Sequence, residues 1–157
     1  AGGMARRVGS AVLWLSACYA AVYQAYAHVG YPVQGLGPSM YPTFKVMGDV
    51  LFVSRWGKND VRRGDIIAFH SPQHPSPTEA VKRVLATAGD RVRYEDEEGV
   101  TRSMVVQRGH VWVEGDNPQQ STDSRHYGPI PLALVQGRVV CQLLPWSRAK
   151  IISRGAS

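Results

Sequence analysis

The fold class is indicated by two segments of similar sequence, GDVLFVSR at residues 48–55 and GDIIAFH at residues 64–70. In each, Gly-Asp precedes a run of aliphatic and aromatic residues, which is typical of a turn that leads into a β-strand. These patterns predict strands at 49–55 and 65–70. Similar patterns predict further strands at 81–88, 92–94, 100–106, 110–114 and 137–144. We therefore expect a mainly β domain built on an antiparallel sheet.

The composition agrees with this expectation and excludes several classes of protein. The chain has 157 residues, of which 44% are hydrophobic and 19% are charged, enough for one globular domain. Sixteen glycines and ten prolines favour short elements joined by turns over a helical bundle. The two cysteines lie far apart and the five histidines show no ligand spacing. We therefore expect no disulfide framework, no metal and no cofactor.

The net charge of +6 raises the question of a nucleic-acid partner. The basic residues are scattered singly or in pairs, with no run of five or more. The chain also lacks the motifs of the common nucleic-acid-binding folds. We therefore predict a basic solvated surface and no nucleic-acid partner, with attraction to anionic lipid as a secondary possibility.

The N-terminal part of the chain differs from the rest. Residues 8–29 contain no Asp, Glu, Lys or Arg and would span roughly 33 Å as a helix, enough for a bilayer core. Arg6 and Arg7 precede this stretch and orient it by the positive-inside rule. A cleavable signal peptide is the competing interpretation. We predict an uncleaved transmembrane anchor at 8–29, one β domain at 30–148 and a C-terminal tail at 149–157.

Reactive residues occur in three segments. Ser39 lies between two prolines in GPSMYPT, residues 37–43. Lys82 lies in EAVKRV, residues 79–84, where strand alternation sends it to the face of Ala80 and Val84 and sends Arg83 to the other face. A lysine buried on an apolar face loses its proton more readily, and its neutral amine can act as a general base towards a serine hydroxyl.

The third segment is a dense polar loop, residues 115–129 (GDNPQQSTDSRHYGP), directly after the apolar run VWV. A polar loop is ordinarily exposed to solvent. Here the density of complementary donors and acceptors predicts a network that holds a site together.

The three segments, in this order and spacing, resemble the type I signal peptidases, which are membrane-anchored Ser-Lys proteases. The match covers roughly residues 37–138. Within that family, the short length and the sequence STDSRHYGPIP are most similar to those of the mitochondrial inner membrane peptidases. Among these, the chain most resembles the first catalytic subunit. The second subunit often lacks the arginine that stands here as Arg125. The resemblance implies a signal-peptidase-like antiparallel β fold.

The resemblance also implies a role for each matched residue. Ser39 would be the nucleophile and Lys82 the general base, with the Lys82 amine hydrogen-bonded by Ser121. The remaining polar residues would form supporting ion pairs: Asp123 with Arg125, and Asp116 with Arg83.

The family's oxyanion hole uses the nucleophile's backbone N–H and, in many members, a hydroxyl two residues earlier. Here that position is Gly37, so the second donor is not identified. An extended substrate would add as a strand between residues 32–36 and 79–81. Small pockets would then accept the side chains of a small-x-small motif at the first and third positions before the cut. The expected substrate-binding residues are Leu36, Met40, Ala80 and Val81.

Rival interpretations are weaker. A Ser39–His126–Asp123 triad is awkward because its histidine and aspartate are three residues apart in one loop. A self-cleaving repressor would need a DNA-binding domain where the apolar stretch stands. An inactive membrane-anchored scaffold subunit would have no reason to keep the serine, the lysine and their polar neighbours.

The resemblance finally implies a location and partners. We expect the mitochondrial inner membrane, with the catalytic domain in the intermembrane space; the alternative is a bacterial single-anchor signal peptidase in the plasma membrane. The expected partners are precursor proteins with cleavable signal or sorting peptides, membrane lipid, and a second homologous catalytic subunit.

Overall fold

The computed structural model describes residues 2–73, 78–96 and 99–154. Among these residues the structure consists of short strands after a single long helix. The helices are α1 (Gly2–Gln24) and α2 (Ser124–Tyr127). The strands are β1 (Gly30–Gln34), β2 (Val50–Ser54), β3 (Ile66–His70), β4 (Glu79–Ala86), β5 (Arg91–Glu95), β6 (Thr101–Val105), β7 (His110–Glu114), β8 (Ile130–Pro131), β9 (Val135–Leu144) and β10 (Lys150–Ile151). The expectation of a mainly β protein is confirmed.

One curled antiparallel sheet contains most of the strands. Its order is β1-β2-β9-β3-β4-β7-β8, with β10 paired to β9, while β5 and β6 form a separate hairpin. Strand β4 pairs with β3 along residues 79–83 but with β7 only from Arg83 onward. Within the part of the chain that the structure describes, residues 79–82 therefore have a partner strand on one side only. Strand β1 is the other edge of interest, since β2 is its one partner among the described strands.

The core lies on both faces of the sheet, and strand alternation divides it. On β3, Ile66 and Ala68 belong to one buried cluster, whereas Ile67 and Phe69 belong to another. This strand is buried on both faces, so its sequence reads as a continuous apolar run. The first cluster includes Met40, which fixes the chain beside Ser39 to the body of the domain.

The seven predicted strands are present and differ from the observed ones mostly at their ends, whereas β1, β8 and β10 were not predicted. Strand β4 begins at Glu79, two residues earlier than predicted, because pairing with β3 extends to His70. The predicted tail, residues 149–157, contains β10, which pairs with β9 and which the sequence pattern did not indicate. The polar loop also contains α2, where Asp123 caps the helix and accepts the N–H of Arg125. Residues 74–77 and 97–98 lie outside the described residues.

The predicted anchor falls within α1 and a five-residue π-helical segment, Ala25–Val29. In the part of the chain that the structure describes, no helix combines the length and the mean hydropathy expected of a membrane span. The transmembrane anchor therefore stays a prediction.

Candidate active site

Ser39 lies in a tight 3₁₀ turn, Pro38–Met40, which is stabilised by the residues on both sides of Ser39. Gly37 precedes the turn with φ of 100°, a conformation that favours glycine. On the other side the Met40 side chain is buried in the core. The turn is therefore held firmly while Ser39 itself stays partly exposed.

The polar loop after β7 clamps this turn. The Asn117 N–H donates to the carbonyl oxygen of Ser39 at 3.0 Å, and the Asn117 side-chain amide donates to that of Pro38 at 3.2 Å. Gly115 fits between the two segments because it has no side chain. A Cβ at this position would lie 2.5 Å from the Ser39 carbonyl oxygen and 2.3 Å from Ser121 Oγ.

Lys82 lies on β4 and is buried, with 6% of its surface exposed. Burial lowers the pKa of its amine below the usual range of a lysine; the carboxylate of Asp123 opposes this shift and the charge of Arg125 adds to it. Ser39 and Lys82 line the same cleft. The structure thus brings the two residues of the expected dyad to one cavity.

Asp123 is the centre of a buried hydrogen-bond network beside Lys82. Arg125 donates to both of its carboxylate oxygens at 2.9 Å, and the Gly115 N–H donates to Oδ2 at 2.9 Å. Burial would raise the pKa of Asp123, but the hydrogen bonds from Arg125, Ser121 and Gly115 lower it below its ordinary value. Asp123 is therefore ionised and paired with Arg125.

Ser121 contacts a different partner from the expected one. Its hydroxyl donates to Asp123 Oδ2 at 2.6 Å, and among the described residues no hydrogen bond joins it to Lys82. The physical reason is that an ionised carboxylate is a stronger acceptor than an amine beside it. In this arrangement Ser121 orients the carboxylate and keeps lone pairs that can accept from Lys82.

A second ion pair joins β4 to the polar loop. Arg83 donates to both oxygens of Asp116, at 2.8 and 2.7 Å, and to the carbonyl oxygen of Gly64 at 3.1 Å. The Thr43 hydroxyl also donates to Asp116. Because Thr43 follows the Ser39 turn, Asp116 connects the strand of Lys82 to the segment of Ser39.

The cleft has a volume of about 330 Å³ and runs between the chain from β1 to the Ser39 turn and the half-paired edge of β4. All four expected substrate-binding residues line it: Leu36, Met40, Ala80 and Val81. The cleft is also lined by five residues that were not predicted individually: Val33, Gln34, Phe44, Thr78 and Glu79. Val33, Gln34 and Glu79 lie in the segments 32–36 and 79–81 that were expected beside the substrate. Membership of those segments could have identified them from the sequence.

A family model described as "Signal peptidase, peptidase S26" matches residues 7–101 and 98–144 of the chain. The chain belongs to the S26 signal peptidase family. Mouse mitochondrial inner membrane protease subunit 1 is 40% identical over 126 residues, covering 78% of this chain and 75% of the relative. Mouse subunit 2 is 36% identical over 120 residues, covering 73% and 67%. A signal peptidase I structure from Enterococcus faecalis is 26% identical, covers 50% of this chain and 95% of its own, and has a TM-score of 0.41.

These relatives confirm the predicted resemblance to the mitochondrial inner membrane enzymes. They also confirm the predicted location, so this S26 peptidase is a protein of the mitochondrial inner membrane.

The first donor expected for the oxyanion hole, the Ser39 N–H, lies in the 3₁₀ turn Pro38–Met40. The first N–H groups of a 3₁₀ turn have no partner within it, and Ser39 is the second residue of its turn. Gly37 stands where many family members have a hydroxyl, and its own N–H donates to Val46 at 2.9 Å. The second donor of the oxyanion hole thus has no assigned residue.

The geometry does not favour the triad with His126. Its Nδ1 accepts the Asp123 N–H at 3.2 Å and so completes the cap of α2. His126 also lines a different cavity from Ser39, beside the β5–β6 hairpin.

Proposed function

We propose that this protein is a serine endopeptidase with a Ser39–Lys82 dyad that removes signal or sorting peptides after a small-x-small motif. The observation that carries the proposal is the buried Lys82 amine in the same cleft as Ser39, with its pKa lowered by burial. A neutral amine at this position can take a proton at a pH where an exposed lysine cannot.

In the proposed reaction the Lys82 amine takes the hydroxyl proton of Ser39 as Oγ attacks the scissile carbonyl carbon. The resulting oxyanion accepts the N–H of Ser39. Lys82 then returns the proton to the leaving amine as the peptide bond breaks and an acyl ester forms on Oγ. A water molecule, deprotonated by the same amine, hydrolyses the ester and restores both residues.

Asp123 and Arg125 have opposite effects on this cycle. The Asp123 carboxylate stabilises the ammonium form that appears after the first proton transfer. Burial is the largest cause that lowers the pKa of Lys82, and Arg125, which pairs with Asp123 through two hydrogen bonds, adds to it.

Substrate binding is supported by the two edges that face the cleft. A peptide in extended conformation would lie beside residues 79–82 of β4, which pair with β3 alone among the described strands, and its backbone would supply the affinity. Apolar side chains such as Leu36, Met40 and Val81 would form the small pockets.

The location and relatives suggest the partners. Relatives carry the names subunit 1 and subunit 2 of one inner membrane protease, so we expect a second homologous subunit. We further expect membrane lipid around an anchor at 8–29, the catalytic domain in the intermembrane space, and precursor proteins as substrates.

The decisive experiment is cleavage of a precursor with a small-x-small junction by the full chain in detergent. Wild type, Ser39→Ala and Lys82→Ala are compared, with circular dichroism to verify folding. We expect cleavage by wild type and loss of at least about 10³-fold in both variants. A Lys82→Ala variant as active as wild type would contradict the dyad. If the folded wild type cleaves nothing even when its partner subunit is present, the result would favour an inactive scaffold.

A further inference from the structure

The end of the cleft away from Ser39 and Lys82 carries an acidic side chain with no role in the proposed reaction. Glu79 begins β4, three residues before Lys82, and so lies roughly 10 Å from it along the strand. Glu79 lines the same cleft as the catalytic pair.

The Glu79 carboxylate is held in place from the opposite wall. The Tyr31 hydroxyl, on β1, donates to Glu79 Oε1, so this hydrogen bond connects the two edges of the cleft. The Tyr31 ring is 6% exposed and the Arg55 guanidinium lies over it, 5.0 Å from the ring centroid. Burial, then the hydrogen bond to Glu79, raise the pKa of Tyr31, so its hydroxyl stays a donor at any physiological pH.

The negative charge of Glu79 is not compensated by an ion pair. Within residues 2–73, 78–96 and 99–154, no salt bridge includes Glu79, and its hydrogen-bond donor is a neutral phenol. Lys82 lines the same cleft, but its pKa is lowered by burial. A fixed carboxylate facing a peptide-binding cleft attracts a cationic side chain.

Strand alternation specifies which substrate residue would meet it. Glu79 and Val81 lie on the same face of β4, two residues apart. If the pocket at Val81 takes the third residue before the cut, the next side chain on that face is about the fifth.

We propose that Glu79, positioned by Tyr31, is an acidic subsite that selects lysine or arginine at about the fifth residue before the cut. The proposal rests on the proposed function, because that function supplies the direction of the bound peptide.

Peptide binding to a Ser39→Ala chain tests the subsite without catalysis. Fluorescent peptides carry a small-x-small junction with Lys, Gln or Glu at the fifth position before it, and affinity is measured by anisotropy with the full chain in detergent. We expect the Lys peptide to bind about fivefold more tightly than the Glu peptide, and the difference to shrink in high salt. Adding Glu79→Lys is expected to reverse the order.

Two further variants separate positioning from general effects. Tyr31→Phe keeps the ring and releases the carboxylate, so the Lys preference is expected to fall while the Gln peptide binds as before. Glu95→Lys makes the same charge change on β5, outside the cleft, and is expected to leave the preference unchanged.

Equal affinity for the Lys and Glu peptides would overturn the subsite, and so would a reversal produced by Glu95→Lys. The same peptides offered to the chain with Ser39 intact test the proposed function separately. Cleavage without charge preference refutes the subsite alone, whereas tight, charge-selective binding without cleavage refutes the peptidase function and leaves the acidic subsite in place.

Discussion

Gly115→Ala is the substitution for which the structure gives the most definite expectation. The φ of Gly115 lies outside the left-handed region, so space alone opposes a side chain. The new Cβ would lie 2.5 Å from the Ser39 carbonyl oxygen and 2.3 Å from Ser121 Oγ, whereas ordinary contacts begin at 3.4 Å. The Ser39 turn and the Asp123 network must therefore separate by about 1 Å.

A displacement of about 1 Å at a catalytic group costs on the order of 10²-fold in rate. We expect kcat/KM for a small-x-small peptide to fall by about that factor, while the free energy of unfolding falls by about 1–3 kcal/mol. The assay measures peptide cleavage per folded molecule, with thermal unfolding followed by circular dichroism.

Two alanine variants serve as matched controls. Gly137→Ala is equally crowded, with Ser54 O at 2.4 Å, but lies on β9 away from the cleft, so we expect lost stability and normal activity per folded molecule. Gly35→Ala has room for its Cβ, with the nearest atom at 3.6 Å, and is expected to leave the free energy of unfolding nearly unchanged. Full activity of Gly115→Ala, or an equal loss in Gly137→Ala, would refute the reasoning.

The remaining predictions concern the charged groups. The kcat/KM of wild type is expected to fall as the pH decreases through the pKa of Lys82, which burial places below the usual lysine range, because the protonated amine cannot accept the Ser39 proton. Arg125→Gln removes a charge that lowers the pKa of Lys82, so we expect its pH–rate profile to shift to higher pH. Arg62→Gln, at an exposed position, should leave the profile in place. An unshifted Arg125→Gln profile would contradict the effect of Arg125 on the pKa of Lys82. Asp116→Asn weakens the pair with Arg83 and is expected to lower the free energy of unfolding by about 1–2 kcal/mol in a thermal melt, whereas the exposed Asp60→Asn changes it little.

Period-two patterns were sufficient to predict most of the strands and, on β4, the faces of two important residues. Lys82 is buried near Asp123 while Arg83 pairs with Asp116 on the other face, as alternation requires. The pattern did not identify β1, β8, β10 or the start of β4, since each of these depends on pairing with another strand.

The residues of the candidate site could be named from three short segments, because Ser39, Lys82 and the polar loop each stand out within a few residues of sequence. Their chemistry required the tertiary structure. Three features of the site depend on segments far apart in the chain: the burial of Lys82, the position of Gly115 beside Ser39 and the hydrogen bond from Tyr31 to Glu79. Local sequence governs periodicity and turn formation, whereas such contacts depend on the register and curl of the whole sheet.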